Sequence, residues 1–474
     1  MIAFVHQVFQ RMLNRSSDME SLGPERIPEA CRRISELVGR EGGTAYIVGG
    51  WVRDALLDRE EVSPDMDVEV FGIEPENLVR LLTENFRCDL YGKSFQIIGL
   101  RDHGVDVAIP RRERKVGAGH ADFLVEGDPF MTIEEAAARR DFTVNAVYGR
   151  LRDGQLVDPY GGVEDLKKGI LRHTTERFVE DPLRVLRGMQ FAARFGFEVC
   201  DETITLSKTL TQEELSPERL YVEWKKLILK GKDYFAGLEF LRKCGWLGFY
   251  PELEALVGCE QDPRWHPEGD VWVHTLHCLN AFAQIRTSDE WEDLVVGFAV
   301  LCHDLGKAVT SEYRDGRIRS PGHAKAGVEI TRTFLERMTN QKDLIEEVLP
   351  LVQDHMSPHE LYEKAGNAAI RRLAGRVGRI DRLIRVATAD KGGRPPKPWI
   401  RPIPEGVWLM QKAEELSVQD QAPKPIMLGR HLIELGLQPG PQMGIILKDA
   451  FEAQLDGEFG DVETGMEWLL KKIQ

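Results

Sequence analysis

The chain has 474 residues, of which 42% are hydrophobic, 8% aromatic and 29% charged, enough length for about three domains that each bury a core. Lysine and arginine number 62 against 77 aspartates and glutamates, a formal net charge of −15. That balance excludes a protein holding nucleic acid by bulk positive charge and confines any such site to a local basic patch. No apolar run approaches the ~18 to 20 residues of a membrane helix. The seven cysteines are scattered, with no CxxC pair, which points to a soluble protein of the reducing cytoplasm and away from a disulfide framework.

The opening MIAFVHQVFQRMLNR has an apolar stretch but neither a preceding basic region nor a small-residue cleavage site, so it does not read as a secretory signal. Met19 precedes the first strongly patterned segment, and residues 1–18 read as an extension. From Gly43 to Leu171 short β-rich runs alternate with helical ones. TAYIVGG (44–50), DMDVEVFG (65–72), SFQIIGL (94–100) and GVDVAIP (104–110) read as strands by their β-branched content and Gly/Pro/Asp punctuation. After Glu180 strand signals nearly stop, and apolar residues recur at helical spacing as far as Lys472. The fold class expected is α+β: an α/β head with a mixed sheet, followed by an all-α body. KGGRPPKPWIRPIPEG (391–406) reads as a connector before a small C-terminal unit.

In the head, the strand AYIV runs through Gly49-Gly50 into the helical WVRDALL. Adjacent glycines at such a turn let backbone amides approach a phosphate, and a helix start adds partial positive charge. Asp65 and Asp67 come next on a second strand, where alternate residues share a face. Two like charges so close repel unless a divalent cation sits between them, and hard oxygen donors suit Mg²⁺ carrying a nucleoside triphosphate. Asp106 on a neighbouring strand is the natural third carboxylate, though it reads equally well as a solvated strand-edge aspartate.

GGWVRD with the D-x-D after it resembles the nucleotidyltransferase signature shared by bacterial tRNA nucleotidyltransferases (CCA-adding enzymes) and bacterial poly(A) polymerases, class II of the polymerase β superfamily. The resemblance continues through ARRDFTVNA (138–146), DPYGG (158–162), EDPLRVLRGMQFAARFGF (180–197) and SPERLYVEWKKLI (216–228). It implies a polymerase-β-like head, with Asp65 and Asp67 on catalytic Mg²⁺ ions and Asp106 assisting. It further implies Gly49, Gly50 and Arg53 near the triphosphate, and Arg139, Arg140 and Asp141 at the ribose. Asp158, Gly161 and Gly162 match a hinge motif, and RRERK (111–115) with the stretch to Asp128 takes the place of a flexible loop.

The same resemblance puts Asp181, Arg184 and Arg187 at the nucleotide. Asp181 and Arg184 are three apart, expected on one helix face. An acceptor-only aspartate beside a donor-only arginine matches the base edges of cytosine and adenine and mismatches those of guanine and uracil.

Seven of the chain's 12 histidines fall between His266 and His359. His274, His303-Asp304, His323, His355 and Asp390 form a second constellation. A lone histidine on an apolar helix reads first as a core residue, but His303-Asp304 comes directly after the apolar VVGFAVL, where an unpaired aspartate would be costly to bury. Mixed imidazole and carboxylate ligation suits a divalent transition metal whose identity the sequence does not fix. The H…HD…D order is similar to that of the HD phosphohydrolase superfamily, which implies hydrolysis of phosphate esters. His323 and His355 fall where members with a second metal have extra ligands.

The stretch PIMLGRHLIELGLQPGPQMGIILKDAFEAQLDGEF (425–459) is similar to the C-terminal RNA-contacting segment of the same tRNA nucleotidyltransferases, and read alone it is equally a helical hairpin. WKKLILKGK (224–232), RRLAGRVGR (371–379) and the connector are candidate backbone contacts to tRNA. The expected organisation is therefore an extension (1–28), a head (29–172), a helical neck (173–255), an HD domain (256–395) and a tail (396–474). The expected activity is addition of CCA to tRNA 3′ ends from CTP and ATP, without a membrane and with an oligomeric state the sequence leaves open. A-only, CC-only and poly(A) addition remain alternatives, as does a phosphohydrolase whose head only binds RNA.

Overall fold

Alternation along short strands separates the head's core from its chemistry. The computed structural model describes residues 21–57, 65–91, 97–115, 123–287, 289–394 and 402–473. The N-terminal extension, Pro64, Ser94 to Gln96, the Gly-rich part of the expected loop and most of the connector lie outside the described residues. The chain divides into two compact units, one reaching Ser216 and including Glu239–Trp246, the other comprising Pro217–Leu238 and the chain from Leu247 onward.

In the first unit, α1 (Glu29–Arg40) leads to β1 (Thr44–Val48), α2 (Gly50–Leu56), β2 (Met66–Phe71), α3 (Pro75–Asn85), β3 (Cys88–Tyr91), β4 (Ile97–Leu100) and β5 (Val105–Ala108). β6 (Arg111–Lys115) and β7 (Phe123–Gly127) form a separate two-stranded ribbon, so RRERK is a strand where the sequence suggested a loop. Then come α4 (Ile133–Ala137), β8 (Tyr148–Arg150), β9 (Leu156–Val157), α5 (Gly162–Lys168) and α6 (Leu183–Phe195). Seven strands make one sheet in the order β3-β4-β5-β2-β1-β8-β9. It is mixed, because β2 and β5 run parallel while the other pairs are antiparallel.

Val68 and Val70 of β2, Ile47 of β1 and Val105 and Val107 of β5 enter one core with Ile34 and Val38 of α1 and Leu78 and Leu82 of α3. The other side of the sheet carries Tyr46, Val48, Phe71 and Tyr148 against Ala136 and Ala137. Each fully buried valine contributes roughly 1.5–3 kcal/mol. Slipping β2 by one residue would drive Asp67 and Glu69 into that core, so the register that places the acids is strongly specified.

Asp158 caps α5, its two carboxylate oxygens accepting from the N–H groups of Gly162 (2.8 Å) and Val163 (2.9 Å). A Cβ on Gly162 would stand 2.1 Å from the carbonyl oxygen of Thr143. Gly162→Ala is therefore expected to destabilise this unit by about 1–3 kcal/mol, read as a lower midpoint in thermal or urea unfolding; an unchanged midpoint would show that the turn yields without cost.

The second unit is helical: α7 (Pro217–Lys230), α8 (Val271–Phe282), α9 (Glu290–Cys302), α10 (His323–Glu336), α11 (Lys342–Asp354) and α12 (Ile380–Gly392). Every residue of α9 from Asp293 to Cys302 is buried. A helix apolar on all sides is a core element, so the His303-Asp304 pair just past its last turn is held rigidly. The tail helices α13 (Gly429–Glu434), α14 (Pro441–Asp456) and α15 (Val462–Ile473) gather a small core of their own around Leu432, Ile446, Ala450 and Leu469.

Candidate active sites

The parallel pairing of β2 with β5 puts Asp67 directly beside Asp106, and Asp65 ends the loop one pleat ahead of Asp67. Asp67 and Asp106 lie on the face opposite the valine core, with Asp65 near enough for its charge to act on Asp67. Gly99 flanks Asp106 on the other side, where a Cβ would come within 3.1 Å of its carboxylate and 2.7 Å of the Tyr91 ring. The pKa of Asp67 is raised by burial, with Asp106, Glu69 and Asp65 adding to the rise and Arg140 opposing it. The donors are all oxygen, the set that suits Mg²⁺.

Gly49 has φ 74°, a left-handed conformation that disfavours a side chain. A Cβ there would lie 3.2 Å from Arg140 Nη1 and 3.4 Å from Asp67 Oδ2, so the glycine turn, the carboxylates and Arg140 meet at one spot. Arg140 is held by Glu69, Nη2 to Oε1 at 2.7 Å, and lies over the Tyr148 ring at 5.5 Å; Tyr148 donates to the other Glu69 oxygen at 2.9 Å. The sequence reading does not single out Glu69, though its place two residues after Asp67 puts it on the same strand face.

Arg53 sits deeper, with a side chain 4% exposed. Its guanidinium donates to Asp54 and to Asn145 (2.7 Å) and lies over the rings of Phe191 and Phe195. Burial pulls its pKa down to about 10 even against the Asp54 carboxylate. Its Nη2 would be 3.5 Å from a Cβ on Gly50, so it braces the glycine turn from beneath.

The RRD and EDPLR motifs interlock. Arg184 donates to the carbonyl oxygens of Arg139 and Arg177, each at 2.6 Å, and Arg187 Nε donates to Asp141 Oδ2 at 2.7 Å. Burial disfavours the Asp141 carboxylate, yet Arg187, Asn145 and the Phe142 N–H hold its pKa below the usual range. Arg139 also donates to the carbonyl of Arg111 in β6. One expectation needs correction: Asp181 is not on the helix with Arg184. Its backbone is extended (φ −133°, ψ 102°) and its side chain accepts from the Leu183 N–H at 3.1 Å. Proline at 182 is the reason, since the residue before a proline is pushed out of the helical region.

In the second unit, the structure brings His274 (on α8), His303 and Asp304 (after α9), His323 (first in α10), His355 (after α11) and Asp390 (on α12) together. Each imidazole is anchored through Nδ1: His274 to Glu268 (2.7 Å), His303 to the Val300 carbonyl (2.7 Å), His323 to the Ser320 carbonyl (2.9 Å) and His355 to the Val352 carbonyl (2.7 Å). That anchoring leaves every Nε2 facing inward, the arrangement by which outer partners orient metal-binding histidines. His274 Nε2 is 3.0 Å from Asp390 Oδ1, and His303 Nε2, buried with no hydrogen-bond partner among the described residues, is 3.3 Å from Asp304 Oδ2. The other Asp304 oxygen is 3.5 Å from His323 and 4.0 Å from His355. These donors fit a divalent transition metal, and Asp304 turns one oxygen toward His303 and the other toward His323 and His355.

Electrostatics agree with a cation site. Burial works against charge on His303, yet Asp304 raises its pKa to about 10, while burial and the His303 charge push His355 down to about 4. Burial likewise opposes the Asp390 carboxylate, which Arg394 and His274 hold well below the usual range. Glu268 is held at about 2, against burial, by hydrogen bonds from His266 and His274. Asp304, His323, His355 and Asp390 face a cavity of about 380 Å³ whose wall includes Lys307, Lys391 and Arg394. Sequence order reveals the six ligand candidates but not His266, Glu268 or Cys278, which join them only in three dimensions. The basic run RRLAGRVGR is spent largely within the unit: Arg372 pairs with Glu452 and Asp456, Arg376 with Asp354, and Arg379 with Glu292 and Asp381.

A head with strand-borne carboxylates and a helical unit with a histidine-aspartate centre define a nucleotidyltransferase joined to an HD domain. The family model described as "Poly A polymerase head domain" matches residues 45–172, and the one described as "HD domain" matches residues 271–391; both families are metal-dependent. The "Multifunctional CCA protein" of Nitrosococcus oceani is 36% identical over 360 residues, covering 74% of this chain and 84% of that protein. That of Stenotrophomonas maltophilia is 36% identical over 363 residues, covering 74% and 86%. The chain belongs to the CCA-adding family. The Bacillus stearothermophilus CCA-adding enzyme, solved in complex with CTP, shares the fold with a TM-score of 0.63 at 20% identity, over 93% of this chain and 96% of that one. Among the described residues no helix is long and apolar enough to cross a membrane.

Proposed function

We propose that the protein is a template-independent tRNA nucleotidyltransferase that adds CCA from CTP and ATP in the cytoplasm, and that its HD domain hydrolyses phosphates at RNA 3′ ends. The observation that carries the first part is the convergence of Asp65, Asp67 and Asp106 on the same spot as the Gly49 turn and Arg140. Magnesium bound by these carboxylates would neutralise the triphosphate and lower the pKa of the attacking hydroxyl. Gly49 and Gly50 leave room for phosphate against the backbone, with Arg53 bracing them. Arg139, Arg140 and Asp141 orient the sugar. The base is read by Asp181 and Arg184, and two of the guanidinium's five donors are spent on the backbone carbonyls that fix its plane. In this assignment residues 29–172 are the head, 173–255 the neck, 256–395 the HD domain and 396–474 the tail. In the HD domain His274, His303, Asp304, His323, His355 and Asp390 would hold a transition metal, which supplies Lewis acidity for ester hydrolysis.

The test is to offer tRNA lacking its 3′ CCA with CTP and ATP, separately and together. The expected result is two cytidines with CTP alone, none added with ATP alone, and CCA with both. Repeated adenosine addition from ATP alone would instead define a poly(A) polymerase, a stop after two cytidines a CC-adding enzyme, and activity only on tRNA ending in CC an A-adding one. Asp181→Ala is expected to reduce discrimination against GTP and UTP roughly ten- to a hundredfold, the weight of one buried polar mismatch. Competition assays with mixed nucleotides measure it, and unchanged selectivity would remove Asp181 from base reading.

A further inference from the structure

We propose that Cys278 is a thiolate ligand of the HD-domain metal centre, beside His274, His303 and Asp390. This rests on reading that cluster as a metal centre. Cys278 comes four residues after His274 on α8, so both side chains project from one helix face. It is fully buried. Its Sγ lies 3.3 Å from His274 Nε2, and the donor atoms of His274, Cys278, His303 and Asp390 all fall within 4.8 Å of one another.

The spacings fit shared ligation. A nitrogen at ~2.05 Å and a sulfur at ~2.3 Å from one ion stand about 3.1 Å apart at a right angle and about 3.6 Å apart at a tetrahedral one; 3.3 Å lies between. The 3.0 Å from His274 Nε2 to Asp390 Oδ1 fits the corresponding nitrogen–oxygen spacing, about 2.9 Å at a right angle. The sulfur packs closely against Gly393, in the space a Cβ there would take, 2.3 Å from it. Its hydrogen bond to the Asp390 carbonyl, at 3.7 Å, is long, as befits a weak S–H donor. A small buried hydrophobe would fill the same volume, but it would not bring a soft donor to three inward-facing ligands.

A thiolate shifts the centre toward zinc, cobalt, iron or nickel and away from magnesium or manganese. The test uses the full chain, stripped with a chelator and reconstituted with Co²⁺. The wild type is expected to show visible d–d bands and a near-ultraviolet sulfur-to-cobalt charge-transfer band. Cys278→Val, an apolar replacement of nearly the same size, is expected to lose only the near-ultraviolet band. Its zinc affinity should fall at least ~10- to 100-fold, the range seen when even an outer-sphere partner is lost, with a smaller loss for manganese. Visible bands without the near-ultraviolet band in the wild type, or that band persisting in Cys278→Val, would overturn the ligand. Failure of the wild type to bind cobalt at all would overturn the metal centre itself, a separable outcome.

Discussion

Asp67→Ala is expected to lower nucleotide addition by about a thousandfold or more, the consequence of removing several kcal/mol of charge stabilisation from the transition state. Asp67 is the central acid of the set, paired in register with Asp106 and flanked by Asp65 and Glu69. Its loss leaves the neighbouring carboxylates one donor short of the set proposed to hold magnesium. The substitution should not unfold the protein. Folding raises the pKa of Asp67, so its charge is unfavourable in the metal-free state; stability there rises as pH falls through that raised value. The variant should melt at the same or a higher temperature than the wild type without magnesium, and magnesium should stabilise it less. A purely structural aspartate would show the reverse, a lower melting temperature accompanying the loss of activity. HD-domain hydrolysis, measured on a phosphomonoester, should be unaffected.

How much of this was legible depended on whether neighbours in sequence or neighbours in space do the work. β1, β2, β4 and β5 are rich in Val, Ile and aromatic residues between Gly, Pro and Asp, and the alternation within β2 and β5 also declares the face of Asp67 and Asp106. β3 (CDLY) and the charged RRERK strand carry no such signal: β3 is an edge strand that buries little, and both pair through a partner strand. EDPLR reads as helix from its apolar spacing, but Pro182 overrides the spacing at Asp181. The position of Arg53 is set by Phe191 and Phe195, far along the chain, so a motif read alone leaves the guanidinium's burial unseen. The HD ligand candidates were legible as an ordered set of residue types. Glu268 and Cys278 were not: Glu268 meets the Nδ1 of His266 and His274 only once the loop before α8 folds back on it, and Cys278 meets Asp390 only once α8 and α12 pack together.

The second large effect is expected at Asp304. Asp304→Asn keeps the shape and removes the charge at the point where the two ligand groups meet: one carboxylate oxygen faces His303 and Lys307 (3.3 and 2.7 Å), the other His323 and His355. An amide nitrogen is no ligand, so the side chain would offer one donor atom in place of two. Bound transition metal, measured by atomic absorption, should drop by at least one ion per chain, and phosphomonoester hydrolysis should fall about a thousandfold. A stability cost accompanies this, because the Lys307 ammonium loses its buried counter-charge; removing one partner of such a pair costs about 3–5 kcal/mol. Folding loss and ligand loss separate in one preparation. CCA addition by the head, assayed below the variant's melting temperature, should persist at wild-type rate while hydrolysis is absent. If hydrolysis also persists there, Asp304 does not serve the metal, and its buried charge is present for Lys307 alone.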